Sequence, residues 1–278
     1  MDTARKVWLF GSAVLLGGCI TLRADFVRES SAALPPGAVA ESIAKRLADH
    51  PGEDGFRLLV SNTDALMTRL NVIDHAESSI DLQYYIFHND STGRLVAQRL
   101  LAAADRGVRV RMLLDDLSAA KVDRQLAALD AHPNVEVRLF NPFKLRGGAF
   151  FGKAVQFIFD GRRLNRRMHN KSLIGDGIVA IVGGRNIGDE YFDAARDMNF
   201  SDLDVAAIGP IVGKISMSFD DYWNCEAAFP VAAFRGLEAS ADDLARLRVV
   251  LQTHARAFAQ TDYAQALLDT LPDPTSTE

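Results

Sequence analysis

The chain has 278 residues, 48% of them apolar and 24% charged, and a formal net charge of −5. That length fits one large domain or two small ones, and the composition excludes disorder. The acidic balance excludes a global electrostatic pull toward nucleic acid or anionic membranes, so any attraction for phosphate must be local.

In chain order, residues 1–22 read as a targeting segment. Arg5 and Lys6 precede a ten-residue apolar run, Val7 to Leu16, too short for a membrane-spanning helix of roughly 20 residues. Leu16-Gly17-Gly18-Cys19 follows and resembles a bacterial lipoprotein lipobox, which implies lipidation of Cys19. Ile20, rather than aspartate, then implies the outer membrane, periplasmic face. Residues 23–55, with Pro35-Pro36-Gly37, a helical stretch near 38–49 and His50-Pro51-Gly52, read as a tether and lead-in.

From residue 56 strands and helices alternate. The spacing predicts a helix over 64–76, a strand over 79–87, a helix over 92–106 stopped at Gly107, and a strand over 108–114. A helix over 118–131 and a strand over 135–140 follow. Short strand–helix–strand connections predict an α/β fold, a mixed sheet with helices on both faces. Residues 141–163 break the rhythm. Their phenylalanines, Phe143, Phe150, Phe151, Phe157 and Phe159, line an acyl groove or belong to the core. Residues 168–174 and 178–182 read as two strands joined by Gly175-Asp176-Gly177. A strand over 203–208, a helix over 212–223 and one or two helices over 240–271 complete the pattern. Cys225 reads as a small buried apolar residue, with no disulfide framework or zinc site.

The chemistry concentrates in Met168-His169-Asn170-Lys171. On a strand, residues two apart share a face. His169 and Lys171 then offer an imidazole nucleophile and a fixed positive charge to one phosphate. Ten residues past Asp176 comes Asn186, after Gly183-Gly184, where an amide can donate to a phosphoryl oxygen and glycines permit close approach. Arg162, Arg163, Arg166 and Arg167 precede the motif as a basic run suited to an anionic head group, and Lys144, Arg146 and Lys153 extend that rim. Tyr84 and Tyr85 take opposite faces of their strand, so one of them lines the pocket. Asp115-Asp116 reads as a capping or loop pair rather than a metal site.

His169-x-Lys171-x4-Asp176, six residues, then Gly183-Gly184-x-Asn186 resembles the HKD signature of the phospholipase D superfamily. Residues 79–87, 107–116 and 165–192 resemble its bacterial cardiolipin synthase-like members. The resemblance covers residues 56–235 as one domain and leaves 236–278 as a helical C-terminal segment leading toward a second half. It implies a phosphohistidine on His169, phosphate held by Lys171 and Asn186, and Asp176 orienting the histidines; Gly184 and Arg167 read as further phosphate-binding positions beside them. It also implies an acidic residue behind the imidazole, Asp197 or Asp202, and chemistry that needs no metal or other cofactor. Gly184 stands where many members carry serine.

One motif is present. Neither His50, His75, His88, His132 nor His254 is followed by lysine two residues on. The expected enzyme is therefore a phosphodiesterase or phosphatidyltransferase acting on phospholipid at the membrane. It would complete its site as a homodimer or with a separate second half. The alternatives are a catalytically incomplete membrane protein and a dimeric single-motif nuclease. Overall acidity disfavours the nuclease, because DNA binding rests on phosphate neutralisation by Lys and Arg.

Overall fold

In the computed structural model the described residues are 20–23, 26, 29–32, 34, 48–119, 122–143, 145–146, 161 and 163–269. The first elements are β1 (Ile20–Leu22), β2 (Gly55–Leu59), α1 (Asn62–His75), β3 (Ser79–Tyr84), α2 (Ser91–Asp105) and β4 (Arg109–Asp115). The one-turn α3 (Asp116–Ala119), α4 (Asp123–Asp130), β5 (Val135–Phe140), β6 (Leu145–Arg146), β7 (Ser172–Gly175) and β8 (Val179–Gly183) come next. The chain continues through β9 (Asp204–Ile208), α5 (Pro210–Asn224), β10 (Ala228–Pro230), β11 (Phe234–Arg235), α6 (Ala241–Phe258) and α7 (Asp262–Asp269).

Eight strands form one mixed sheet in the order β10-β5-β4-β3-β7-β8-β9-β2. β3, β4 and β5 run parallel, joined by helical crossovers, and the remaining pairings are antiparallel. Parallel neighbours need a crossover, so helices must cover the sheet's faces. The larger core lies on one face. It packs Leu66 and Ile73 of α1, Val96 and Leu100 of α2, Leu126 of α4 and Leu251 of α6 against Ile80, Leu82, Val110 and Met112. On the other face α5 supplies Val212, Phe219 and Trp223 against Leu113, Ile174 and Ala180. Fully burying each such side chain contributes roughly 1.5–3 kcal/mol. The fold is thus the expected α/β arrangement, a mixed sheet with helices on both faces.

Local chemistry sets the element ends. Ser61 caps α1 by accepting from Asp64 N, and Asp90 caps α2 by accepting from Gly93 N. Gly107, at φ +98°, makes the turn out of α2 that the sequence predicts. Ser240 and Asp243 form a reciprocal capping box on α6.

Several expectations shift. The predicted 118–131 helix is two pieces, α3 and α4. The predicted strand over 168–174 begins only at Ser172, because Asp115 Oδ2 accepts from Met168 N at 3.0 Å and takes that donor out of any ladder. The strand predicted over 79–87 ends at Tyr84. Beyond it Asn186 Oδ1 accepts from Ile86 N at 3.0 Å and His88 N donates to Ile187 O at 2.9 Å, so the segment pairs with the 186–188 loop instead.

The expected tether is docked at Ser31. Ser31 N donates to Asn224 Oδ1, its carbonyl accepts from Arg111 Nη1, and its hydroxyl accepts from Trp223 Nε1. Ile20–Leu22, assigned to the targeting segment, pairs with β11 and β6 in a small three-stranded sheet. Cys225 is half-buried at the edge of the α5 core. Among the described residues no helix is long and apolar enough to cross a membrane.

Candidate active site

The site lies where β7 begins and where the 183–192 loop leaves β8. His169 is exposed, and Lys171 is buried beside it. Lys171 Nζ donates to His169 Nδ1 at 3.1 Å and to the His169 carbonyl at 2.6 Å. The Tyr85 ring packs on the imidazole at 4.9 Å between centroids, and Lys171 Nζ stands 5.6 Å from the same ring. Of the two adjacent tyrosines, Tyr85 therefore lines the site. Tyr84 is fully buried, and its hydroxyl accepts from Arg69 Nε. Burial holds the Lys171 ammonium below the ordinary lysine range, and the charge of Asp202 partly restores it.

Asn186 is buried and spans the loop. Its Oδ1 takes Ile86 N, and its Nδ2 donates to Tyr191 Oη at 2.8 Å. Burial raises the Tyr191 phenol above its usual value, opposed by that hydrogen bond. Arg185, between Gly184 and Asn186, is completely buried. It donates to Asn62 Oδ1, Leu59 O and Val60 O, and pairs with Asp204 Oδ2 at 3.2 Å. Asp204 also pairs with Arg69 Nη2 at 2.9 Å. This buried Arg69–Asp204–Arg185 triad pins the loop, and sequence reading missed it. No local pattern marks these residues, which lie up to 135 positions apart.

Backbone crowding requires glycine at 183, whereas at 184 the crowding comes from the Asp202 side chain alone. A Cβ on Gly183 would lie 2.0 Å from Asp204 Oδ1 and 2.6 Å from its Cα. On Gly184 it would lie 2.0 Å from Asp202 Oδ1, so the serine common at this position has no room beside Asp202 as placed. Of the two acidic candidates, Asp202 thus stands against the loop and acts on Lys171, whereas Asp197 is exposed in the 193–201 stretch.

Two assigned residues lie elsewhere. Asp176, in the β7–β8 turn at φ +51°, is at the far end of β7 from His169. Its carboxylate accepts from Glu77 N, Ser78 N, Ser78 Oγ and Ser79 N, so it fastens the start of β3 instead of orienting an imidazole. Arg167 is committed to Asp115 at 3.0 Å and to the Leu164 carbonyl rather than turned toward a phosphate.

Within the rest of the basic run, Arg163 bonds Asn141 Oδ1 and Arg166 lines a cavity of about 610 Å³ shared with Asp221 and Tyr222. Arg162, Lys144, Lys153, the Arg146 side chain, Phe150, Phe151, Phe157, Phe159 and Cys19 lie outside the described residues. Phe143 is buried. Asp115 and Asp116 act as loop caps, accepting from Leu117 N and Phe143 N. A second cavity, of about 350 Å³, opens on Lys171, Asn170, Ser172, Gln83 and Lys214.

An imidazole beside a buried ammonium, with an amide-bearing glycine loop one strand away, is an arrangement that could hold and attack a phosphoryl group. Comparison with known proteins gives the family. The family model described as "Cardiolipin synthase, PLD-like domain" matches residues 70–223. Cardiolipin synthase C of Escherichia coli K12 is 48% identical over 193 residues, covering 69% of this chain and 40% of the relative. Cardiolipin synthase 2 of Staphylococcus epidermidis is 32% identical over 162 residues, 57% of this chain and 30% of the relative. Among solved structures, the phosphatidylserine synthase of Haemophilus influenzae Rd KW20 shares the fold, with TM-score 0.50, 12% identity, and 80% of this chain and 48% of that one covered. The chain belongs to the cardiolipin synthase-type, phospholipase D-like family, and it spans less than half the length of these curated relatives.

Proposed function

We propose that this chain is the nucleophile-bearing half of a phospholipase D-type phosphodiesterase or phosphatidyltransferase acting on phospholipid. His169 attacks phosphorus, the P–O bond to the departing alcohol breaks, and a phosphohistidine forms. Lys171 and the Asn186 loop hold the non-bridging oxygens, where negative charge grows in the transition state. Asp202 balances Lys171 and is the carboxylate available to the imidazole. Water or an alcohol then attacks phosphorus and releases His169. The leaving alcohol needs a proton from a general acid. A second histidine, from a second copy or a separate half, supplies it.

The observation that carries this reading is the 3.1 Å pairing of Lys171 Nζ with His169 Nδ1 beside the Asn186 loop. An acyl anchor on Cys19 is part of the proposal. Because β1 begins at Ile20, such an anchor would hold the folded body directly against the membrane of the cell envelope.

The test uses a phospholipid labelled at phosphorus, with a denaturing detergent quench at alkaline pH and detection of protein-bound label that later acid treatment releases. The expected result is labelling of the intact chain that His169→Ala abolishes and Lys171→Met lowers at least tenfold. Equal labelling of His169→Ala removes His169 as nucleophile. A folded, strictly monomeric chain with no labelling favours a catalytically incomplete protein.

A further inference from the structure

Outside the half-site, three side chains of metal-ligand type converge: His88 from the segment after β3, Asp90 at the start of α2, and Glu190 from the 183–192 loop. His88 Nδ1 lies 3.2 Å from Glu190 Oε1 and 3.8 Å from Asp90 Oδ2, and one ligand atom from each residue falls within 4.8 Å of the others. We propose that His88, Asp90 and Glu190 bind a divalent cation of zinc type. Ligand atoms at about 2.0–2.1 Å from a tetrahedral zinc are about 3.4 Å apart, so small side-chain rotations close the set, and a fourth position stays open to water. One imidazole among the donors selects zinc over calcium or magnesium, which prefer oxygen alone.

The surroundings supply a second, independent reason. Gly188 lies directly under the cluster. A Cβ there would sit 2.8 Å from Glu190 Oε2 and 3.0 Å from His88 Nδ1, so the missing side chain leaves open the space on which the ligands converge.

The backbone around them is also braced. His88 N donates to Ile187 O at 2.9 Å, and Asp189 N donates to Asp90 Oδ2 at 2.8 Å. Asp189 in turn accepts from Ser91 N and Thr92 N. Asp90 uses its Oδ1 to cap α2. Its Oδ2, with one bond from Asp189 N, keeps a lone pair for a cation. All three side chains are half-buried, so solvent ions reach them.

A cation here ties the end of β3 to the loop carrying Asn186 and Tyr191. Its role is to fix that loop, with no part in bond making, and the proposal stands whether or not the chain transfers phosphate.

The experiment titrates the untagged full chain with Zn2+ against a chromophoric chelator and follows thermal unfolding with Zn2+, Mn2+ or Ca2+ present. One zinc per chain is expected, with a rise in melting temperature. His88→Ala and Glu190→Gln should each weaken binding at least tenfold and remove the rise, while His75→Ala, at an exposed histidine elsewhere, should change neither. Zinc binding of the same stoichiometry and affinity in His88→Ala would overturn the assignment. So would no binding to the intact chain, which would leave His88 and Glu190 as a simple side-chain contact. Stabilisation by Ca2+ equal to that by Zn2+ would refute the zinc-type selectivity.

Discussion

Replacing Asp204 by asparagine tests the buried triad that holds the 183–192 loop. Asp204 is 0% exposed and pairs with Arg69 at 2.9 Å and Arg185 at 3.2 Å, both guanidiniums themselves almost completely buried. Asparagine keeps the shape and removes the carboxylate that pairs with both groups, leaving two buried cations without it. Breaking one buried pair costs about 3–5 kcal/mol. That is a large share of a domain stability of about 5–15 kcal/mol. Urea unfolding at neutral pH, followed by circular dichroism, should therefore show the midpoint falling by the equivalent of about 3–5 kcal/mol at unchanged slope. Adding Arg69→Met in the Asp204→Asn background removes one orphaned cation, so the double variant should be more stable than Asp204→Asn alone. That non-additivity marks a shared network. A loss below about 1 kcal/mol, the worth of an exposed pair, would refute the reasoning. So would strict additivity of the two substitutions.

The legible part of the molecule is the part set by period and punctuation. Apolar spacing places α1 and α2, and the Gly107 break ends the second in the right place. The Gly175-Asp176-Gly177 turn joins β7 to β8 as its composition suggests, since two of its residues take positive φ. His169 and Lys171 stand together as their spacing implies, and the loop bearing Asn186 leaves β8, the strand paired with β7.

What spacing cannot carry is the choice a side chain makes among distant partners. Asp176 is seven residues from His169 in sequence but spends its carboxylate on the backbone of residues 77–79, and only the position of β3 decides that. Arg167 adjoins the motif, yet its guanidinium pairs with Asp115 at 3.0 Å, 52 residues earlier. A free strand at Met168 fails for the same reason, because the competing acceptor sits 53 residues earlier. Choosing between Asp197 and Asp202 needed the contact with Gly184, a pairing 18 residues apart. The buried triad joins residues up to 135 apart, so no local pattern announces it.

Three further outcomes are expected. Asp176→Ala should leave the buried Ser79 N–H without its acceptor and lower stability by about 1–3 kcal/mol in urea unfolding, with labelling of His169 retained under native conditions. Loss of labelling at unchanged stability would instead place Asp176 in the chemistry. Gly184→Ser should displace Asp202 and lower labelling at least tenfold, and unchanged labelling would show that Asp202 moves without consequence. For Lys171, burial favours the neutral amine, so its folded pKa lies below the unfolded value of about 10.4. The destabilising cost of its buried charge is then present in full below the folded pKa and vanishes as pH rises through it, so this one contribution raises stability between the two values. Phosphate binding needs the ammonium and must fall across the same interval. Activity and stability should therefore move in opposite directions on the alkaline side. Lys171→Arg, whose guanidinium keeps its charge, should carry any residual activity to higher pH. An alkaline limb of kcat/KM unchanged in Lys171→Arg would show that another group sets it.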